Sequence, residues 1–283
     1  MIVTRFAPSP TGYLHLGHAF AAKFAYAMAR AKRGRFLLRL EDIDQGRARP
    51  EFAEAILEDL HWLAFRWDGP VLAQSSRFEA YRAALARLDS DGLLYPCFCT
   101  RTQIADEIAR AIEAPHGPEG PHYPGTCKQH SSEERTERIA AGAAYALRLD
   151  AQKAARRVGP LAFHEEGMGP EGEHGVISVD PTLFGDVVLA RKDTPASYHL
   201  AVVVDDAFQG VTLVTRGNDL FSATHVQRVL QALLGLEEPA YAHHKLILGP
   251  DGKKFSKRDQ SVTLKGLREA GKTPNDIFEI LEK

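Results

Sequence analysis

Residues 5–18 read RFAPSPTGYLHLGH, and the reading of this stretch decides the fold. Ahead of its prolines, Ile2, Val3 and Phe6 form a short apolar run. Pro8 and Pro10 end that run, because proline donates nothing to a sheet ladder. Behind them Leu16, Phe20, Phe24 and Met28 recur at helical spacing to about Lys32, and Gly34 supplies a stop. Arg35 to Leu40 returns to a strand pattern. Strand, turn, helix and strand within about forty residues make a βαβ unit, so an α/β fold with a parallel sheet is expected.

Further along, Pro50 opens a helix to about Phe65 with Phe52, Ile56, Leu60 and Leu63 on one face, and another helix runs from about Arg77 to Leu88. The segment from Tyr95 to about His130 breaks the pattern. It holds all three cysteines, is rich in Pro, Gly and His, and reads as an insertion; Ser131 with Glu134 then fits a capping box. Strand-like runs follow in ALRLD (146–150), DVVLARKD (186–193), HLAVVVDD (199–206) and GVTLVTR (210–216). A helix is expected from about Leu220 to Leu234. After it LILGPDGKKFSKR (246–258) reads as a strand entering a tight turn and a basic loop.

The 283 residues suffice for a sizeable core. Lys and Arg total 35 against 37 Asp and Glu, so no global positive field announces a nucleic-acid partner, and RNA binding is expected to be weak. No stretch approaches the roughly 18 apolar residues of a spanning helix, and no signal-peptide pattern opens the chain, so a cytoplasmic protein without a membrane partner is expected. Three cysteines cannot close a disulfide framework, which leaves burial or a metal.

A proline and glycine turn feeding a helix N-terminus offers free N–H groups and the positive end of the helix dipole, which suits phosphate. His15 and His18 sit at that junction, where imidazoles can donate to phosphoryl oxygens as charge builds in a transition state, and Gly17 permits close approach. KKFSKRD (253–259) sets four cations around a serine, suited to a pyrophosphate leaving group. Taken singly, two histidines on one helix face or one charge run are ordinary surface or core features. Together they define a chemistry.

HLGH on a βαβ unit, with KFSKR far downstream, resembles the paired signatures of class I aminoacyl-tRNA synthetases. RFAPSPTGYLHLGH, LRLEDID (38–44), YHLAVVVDD (198–206) and Arg216 at a strand end narrow the resemblance to the glutamyl branch. It implies a Rossmann-type catalytic core in two halves, 1–95 and 186–258, interrupted by a zinc-binding, acceptor-like subdomain over 96–185 and followed by a short helical tail, 259–283. Only 283 − 258 = 25 residues follow Arg258, so no anticodon-binding domain is expected. The chain therefore resembles the stand-alone members of this branch. For these the resemblance implies ATP-dependent, tRNA-independent activation of L-glutamate and transfer of glutamate to queuosine in the anticodon of tRNA-Asp, by a monomer.

The same resemblance assigns residues. His15, His18, Lys254 and Lys257 would be catalytic. ATP would meet Pro8, His15, Gly17, His18, Lys254, Phe255, Ser256, Lys257 and Arg258, with Mg²⁺ accompanying it. Arg5 with Tyr198 would take the glutamate side-chain carboxylate, Arg216 the α-carboxylate and Glu41 the ammonium, with Ala7 and Ser9 completing the pocket. Two positions depart from the branch pattern. Val202 stands where an asparagine is usual, which is expected to remove a polar group near the pocket and favour an altered substrate, and Phe255 replaces a methionine.

Cys97, Cys99 and Cys127 supply three of the four donors a structural zinc needs, and spacing leaves Tyr123, His122, His116 and His130 competing for the fourth place. The resemblance, through CxC followed by YxxxC, favours Tyr123 and a structural Zn²⁺. Three rival readings remain at this point: a conventional truncated glutamyl-tRNA synthetase, a cofactor nucleotidylyltransferase, and a non-catalytic RNA-binding paralogue.

Overall fold

A computed structural model of the chain describes residues 1–110, 116–118, 120–192, 194–247 and 263–282. It opens with β1 (Val3–Phe6), α1 (Leu16–Ala31), β2 (Arg35–Leu40), α2 (Pro50–Trp62), β3 (Leu72–Ala73) and α3 (Phe78–Ser90). Next come β4 (Leu94–Cys97), α4 (Arg101–Arg110), β5 (His116–Gly117), β6 (Gly120–Pro121), α5 (Ser132–Ala140), β7 (Ala146–Leu149), α6 (Ala151–Val158), β8 (Ala162–Glu165), β9 (Gly175–Ser178) and β10 (Val188–Arg191). The chain closes with α7 (Tyr198–Gln209), β11 (Leu213–Gly217), α8 (Ala223–Leu234), β12 (Ala240–His244), α9 (Leu264–Glu269) and α10 (Pro274–Glu282).

The βαβ expectation holds: β1 pairs parallel with β2, and β2 parallel with β3. A second parallel pair joins β11 to β12, and β12 continues to β8. Thr212 stitches the two groups together, its N–H donating to the Val3 carbonyl and its hydroxyl accepting the Val3 N–H. The strand order is thus β3-β2-β1 alongside β11-β12-β8-β9, and the chain winds outward in both directions from the β1/β11 seam. In open α/β sheets that seam, at the carboxyl ends of the strands, is where ligands bind.

Residues 162–178, inside the stretch expected as an insertion, contribute β8 and β9 to this sheet. Cys97 ends β4 of a separate antiparallel sheet, β10-β7-β4, with Cys99 just past it and Cys127 in a short turn of helix at 126–129, and the capping box at Ser131 and Glu134 is formed as expected. The C-terminal tail packs back on the first half. Leu264 N–H donates to the Leu14 carbonyl, and Leu264, Ile277 and Leu281 are buried with Leu14, Leu16 and Ile56. Among the described residues no helix is long and apolar enough to cross a membrane.

Two local readings are corrected. On α1 the buried stripe is Leu16, Ala19, Ala22, Ala25 and Ala29, while Phe20, Phe24 and Met28 are half-buried. Small side chains let the helix lie close on the sheet, where Thr4 Oγ1 reaches the Ala25 carbonyl at 2.8 Å. HLAVVVDD, expected as a strand, is helix α7. Leu200, Ala201, Val202, Val203, Asp205 and Asp206 are all buried on it, so no amphipathic period survives to mark a helix, and the valine run imitates a strand. Ser197 caps its first turn and Gly210, at φ 65°, ends it.

Candidate active site

Three strand ends converge at the seam. Arg5 lies at the end of β1, Glu41 just past β2 and Arg216 near the end of β11, and all three are largely withdrawn from water. The Pro8 carbonyl accepts the Glu41 N–H at 3.0 Å, tying the turn after β1 to the end of β2. That turn carries Ala7 and Ser9 half-buried and Pro8 buried beside the site.

Arg5 does not stand free. Its Nε donates to Asp206 Oδ1 at 2.9 Å, its Nη2 to Asp206 Oδ2 at 3.2 Å, and its Nη1 to the Thr215 carbonyl. Arg39, wholly buried, donates to the same Asp206 Oδ1 at 2.7 Å and to Gln209, and its Nη2 lies 3.5 Å from Glu41 Oε1. Burial works against the Asp206 charge, but Arg39 and Arg5 hold its carboxyl below the usual range. For Glu41 burial wins: its carboxyl is pushed up, with Arg39 and Arg5 only partly opposing. A ligand ammonium beside Glu41 would favour the ionised form that burial disfavours.

Arg216 differs. Its Nε donates to His243 Nε2 at 3.1 Å, its Nη1 to Gln227 Oε1 at 2.6 Å and to Tyr198 Oη at 3.4 Å, and its Nη2 to Thr224 Oγ1 at 2.6 Å. Every one of these partners is neutral or an uncharged acceptor. Among the described residues no carboxylate lies within ion-pair distance of Arg216, so a buried guanidinium keeps its charge uncompensated. Burial and then the Arg216 charge pull neighbouring His199 down to about 4, so that imidazole stays neutral. The hydroxyl of Tyr198, expected to take the glutamate side-chain carboxylate with Arg5, accepts from Arg216.

The two histidines of HLGH meet as the spacing implies. Their ring centroids are 3.8 Å apart, and the His15 N–H donates to His18 Nδ1 at 3.2 Å. His15 is the extended residue that caps α1, whose first turn carries no acidic side chain. A Cβ on Gly17 would stand 3.1 Å from His15 Cε1, so the glycine also gives the His15 ring its place. A β-bridge pairs His15 with Thr263. Lys254, Phe255, Ser256, Lys257 and Arg258 lie outside the described residues.

Val202 is buried in the core with Leu200, Val203 and Val229. Its apolar side chain serves packing rather than lining the pocket, so it carries no argument about substrate. Sequence reading missed Arg39, Asp206, Thr224 and Gln227. The one signal available was a charged residue, Arg39, between the apolar Leu38 and Leu40 of β2.

The cysteines form a compact donor set. Cys97, Cys99 and Cys127 bring sulfurs within 4.8 Å of one another. Cys99 and Cys127 sulfurs are 3.3 Å apart, and the Tyr123 hydroxyl lies 3.5 Å from Cys99 Sγ. Tetrahedral zinc with bonds of roughly 2.3 Å sets its sulfurs roughly 3.8 Å apart, so the residues fit such an ion. His122 is engaged with the Leu183 carbonyl and His130 with Glu134, which leaves Tyr123 as the donor turned to the sulfurs; the side chain of His116 is outside the described residues. Burial pushes the Cys99 thiol up to about 12, and a bound cation would reverse that.

A parallel sheet with two buried arginines and Glu41 at its strand ends, and His15 and His18 at the start of α1, has the architecture of a class I synthetase catalytic domain. Residues 1–283 match the family described as tRNA synthetases class I (E and Q), catalytic domain. The chain belongs to that family. It is 49% identical over 285 residues to a glutamyl-Q tRNA(Asp) synthetase of Rhodobacter capsulatus, covering 99% of each chain. It is 37% identical to a glutamate–tRNA ligase of Hydrogenobaculum, covering 99% of this chain but 58% of that one. A crystal structure of a glutamate tRNA ligase from Elizabethkingia meningosepticum, in complex with its amino acid, superposes with a TM-score of 0.79 at 26% identity, over 99% of this chain and 60% of the other.

Proposed function

We propose that the protein activates L-glutamate with ATP, without needing tRNA for that step, and transfers the glutamate to queuosine in tRNA-Asp. The observation that carries the reading is Arg216, a buried guanidinium near the end of β11 with Gln227, Thr224, His243 and Tyr198 around it and without a carboxylate partner among the described residues. A buried unpaired cation is costly, and an anionic substrate relieves it. Full-length similarity to the Rhodobacter protein supports the queuosine acceptor over an acceptor-end reaction.

In this reading Arg216 and Tyr198 grip one glutamate carboxylate, Arg5 offers its remaining N–H groups to the other, and Glu41 takes the ammonium, with Ala7 and Ser9 lining the pocket. The α-carboxylate attacks the α-phosphorus of ATP and pyrophosphate leaves, so no protein nucleophile is required and positioning and charge carry the rate. His15 and His18 donate to phosphoryl oxygens at the α1 N-terminus, Gly17 and Pro8 border the nucleotide, and the 254–258 cations hold the pyrophosphate. Mg²⁺ would enter with ATP as part of the substrate and screen its phosphate charge. Cys97, Cys99, Cys127 and Tyr123 would hold a structural zinc, which would brace the loops that follow β4 without taking part in the reaction.

The test offers labelled L-glutamate and ATP with queuosine-containing tRNA-Asp, the same tRNA without queuosine, and tRNA-Glu, after scoring ATP/pyrophosphate exchange without RNA. Label on the queuosine-containing tRNA alone is expected. Label on tRNA-Glu would make this a conventional synthetase instead, and absence of exchange would reject activation.

A further inference from the structure

Arg216 is held from behind by two residues that the glutamate pocket does not itself require. On the paired strands β11 and β12, Arg216 and His243 are register partners, and β12 is flanked on its other side by β8, which ends at Glu165. Glu165 Oε2 lies 2.6 Å from His243 Nδ1, while its Oε1 accepts the His243 N–H at 2.8 Å and the Gly167 N–H at 2.9 Å. Neither Glu165 nor the His243 side chain touches water. A Cβ on Gly167 would fall 2.3 Å from the His243 carbonyl oxygen, so glycine is what lets the chain after Glu165 close on β12.

Arginine has no acceptor, so its Nε–H must donate, and His243 Nε2 must present a lone pair. The proton of the imidazole then sits on Nδ1, facing the carboxylate. Burial opposes ionisation of Glu165, but its hydrogen bonds from His243 outweigh that and hold its carboxyl below the usual range. Burial, with help from the Arg216 charge, pulls His243 down, so it stays the neutral tautomer. Phe221 stands edge-on to the imidazole at 5.0 Å between centroids and fixes its plane.

We propose that Glu165 and His243 are positioning residues of the glutamate site: Glu165 selects the Nδ1–H tautomer of His243, whose Nε2 aims Arg216 at a substrate carboxylate. This rests on the reading of Arg216 as a carboxylate anchor. The three side chains form a file running from the buried back of the sheet to the substrate, with a charge at either end and a single proton arrangement between them. A carboxamide in place of Glu165 would keep an oxygen for the two backbone N–H groups and turn its amide N–H toward His243 Nδ1. That would force the imidazole proton onto Nε2, donor against donor with Arg216 Nε.

The experiment measures binding of L-glutamate and, separately, of ATP to the full chain by calorimetry. It uses the parent protein, Glu165→Gln, His243→Asn and His243→Gln, each checked for an unchanged melting transition. Asparagine places no acceptor near the Nε2 position, whereas glutamine does. Glu165→Gln and His243→Asn are expected to weaken L-glutamate binding by about tenfold or more while leaving ATP affinity within about twofold, and His243→Gln to retain most of the glutamate affinity. Equal loss in His243→Gln and His243→Asn, parallel loss of ATP binding, or parent-like glutamate affinity in Glu165→Gln would each overturn the proposal. Should a variant fold poorly, ¹⁵N spectra of histidine-labelled parent protein decide it: His243 must be protonated at Nδ1, and protonation at Nε2 overturns it. A parent protein that binds no L-glutamate removes the anchor reading itself, whereas intact binding with unaffected variants removes only the relay.

Discussion

Asp206 Oδ1 accepts from Arg5 Nε at 2.9 Å and, on the same oxygen, from Arg39 Nη1 at 2.7 Å. One helix-borne carboxylate thereby fixes two strand-borne guanidiniums, and α7 is locked to β1 and β2. Asp206→Asn leaves both arginines buried, Arg39 with Glu41 at 3.5 Å and Arg5 with no other ion-pair partner among the described residues. Removing one partner of a buried ionic network costs about 3–5 kcal/mol, so urea unfolding at neutral pH should show a loss of that size. A loss under about 1 kcal/mol would mean that water or rearrangement compensates the pair.

Arg216→Lys keeps the charge but loses the fork that reaches His243, Gln227 and Thr224 together. Charged hydrogen bonds are worth roughly 1.5–3 kcal/mol, so KM for L-glutamate in ATP/pyrophosphate exchange should rise about 10- to 150-fold. KM for ATP should move little. A change confined to ATP would take Arg216 out of the amino-acid pocket.

Much of this arrangement was legible in the sequence, and the remainder has physical reasons for being hidden. The prolines and glycines of residues 5–18 announce a strand meeting a helix, and His15, His18, Arg5, Glu41 and Arg216 fall at the strand and helix ends where they were expected. Asp206 was invisible because α7 is buried almost all round, which erased its period and made VVV look like a strand. Arg39 alternates correctly along β2 but points to the inside, and only tertiary structure supplies the anion that permits this. Glu165 and His243 are seventy-eight residues apart in sequence and meet only across β8 and β12.

The donor set at the cysteines predicts metal retention. Cys127→Ser should lower zinc per chain in purified protein well below that of the parent, and Tyr123→Phe should weaken zinc retention under a chelator while His122→Ala does not. Exchange of pyrophosphate in the absence of RNA should persist in Tyr123→Phe, because the set packs at the end of β4 with Tyr95 and Phe98 rather than at the ends of β1, β2 and β11. Equal zinc in Cys127→Ser and parent would remove the assignment.

Asp59 gives the fold a pH dependence with a definite sign. It is buried on α2, and Arg268 of α9 stands 3.5 Å from its Oδ1 at ion-pair distance without a hydrogen bond, so burial pushes its carboxyl from 3.8 up to about 6. A folded-state value above the unfolded one means that the native state holds the proton more tightly. The stabilisation is therefore complete below about 4 and disappears as pH rises through about 6. Above that range the ionised, poorly paired carboxylate opposes folding by roughly 3 kcal/mol at most, taking about 1.4 kcal/mol per unit. Asp59→Asn should consequently be more stable than the parent at pH 8, with the difference shrinking as the pH falls toward 4 in parallel urea titrations. An Asp59→Asn variant that is less stable than the parent at pH 8 would show that Arg268 pairs with the carboxylate strongly enough to outweigh its burial.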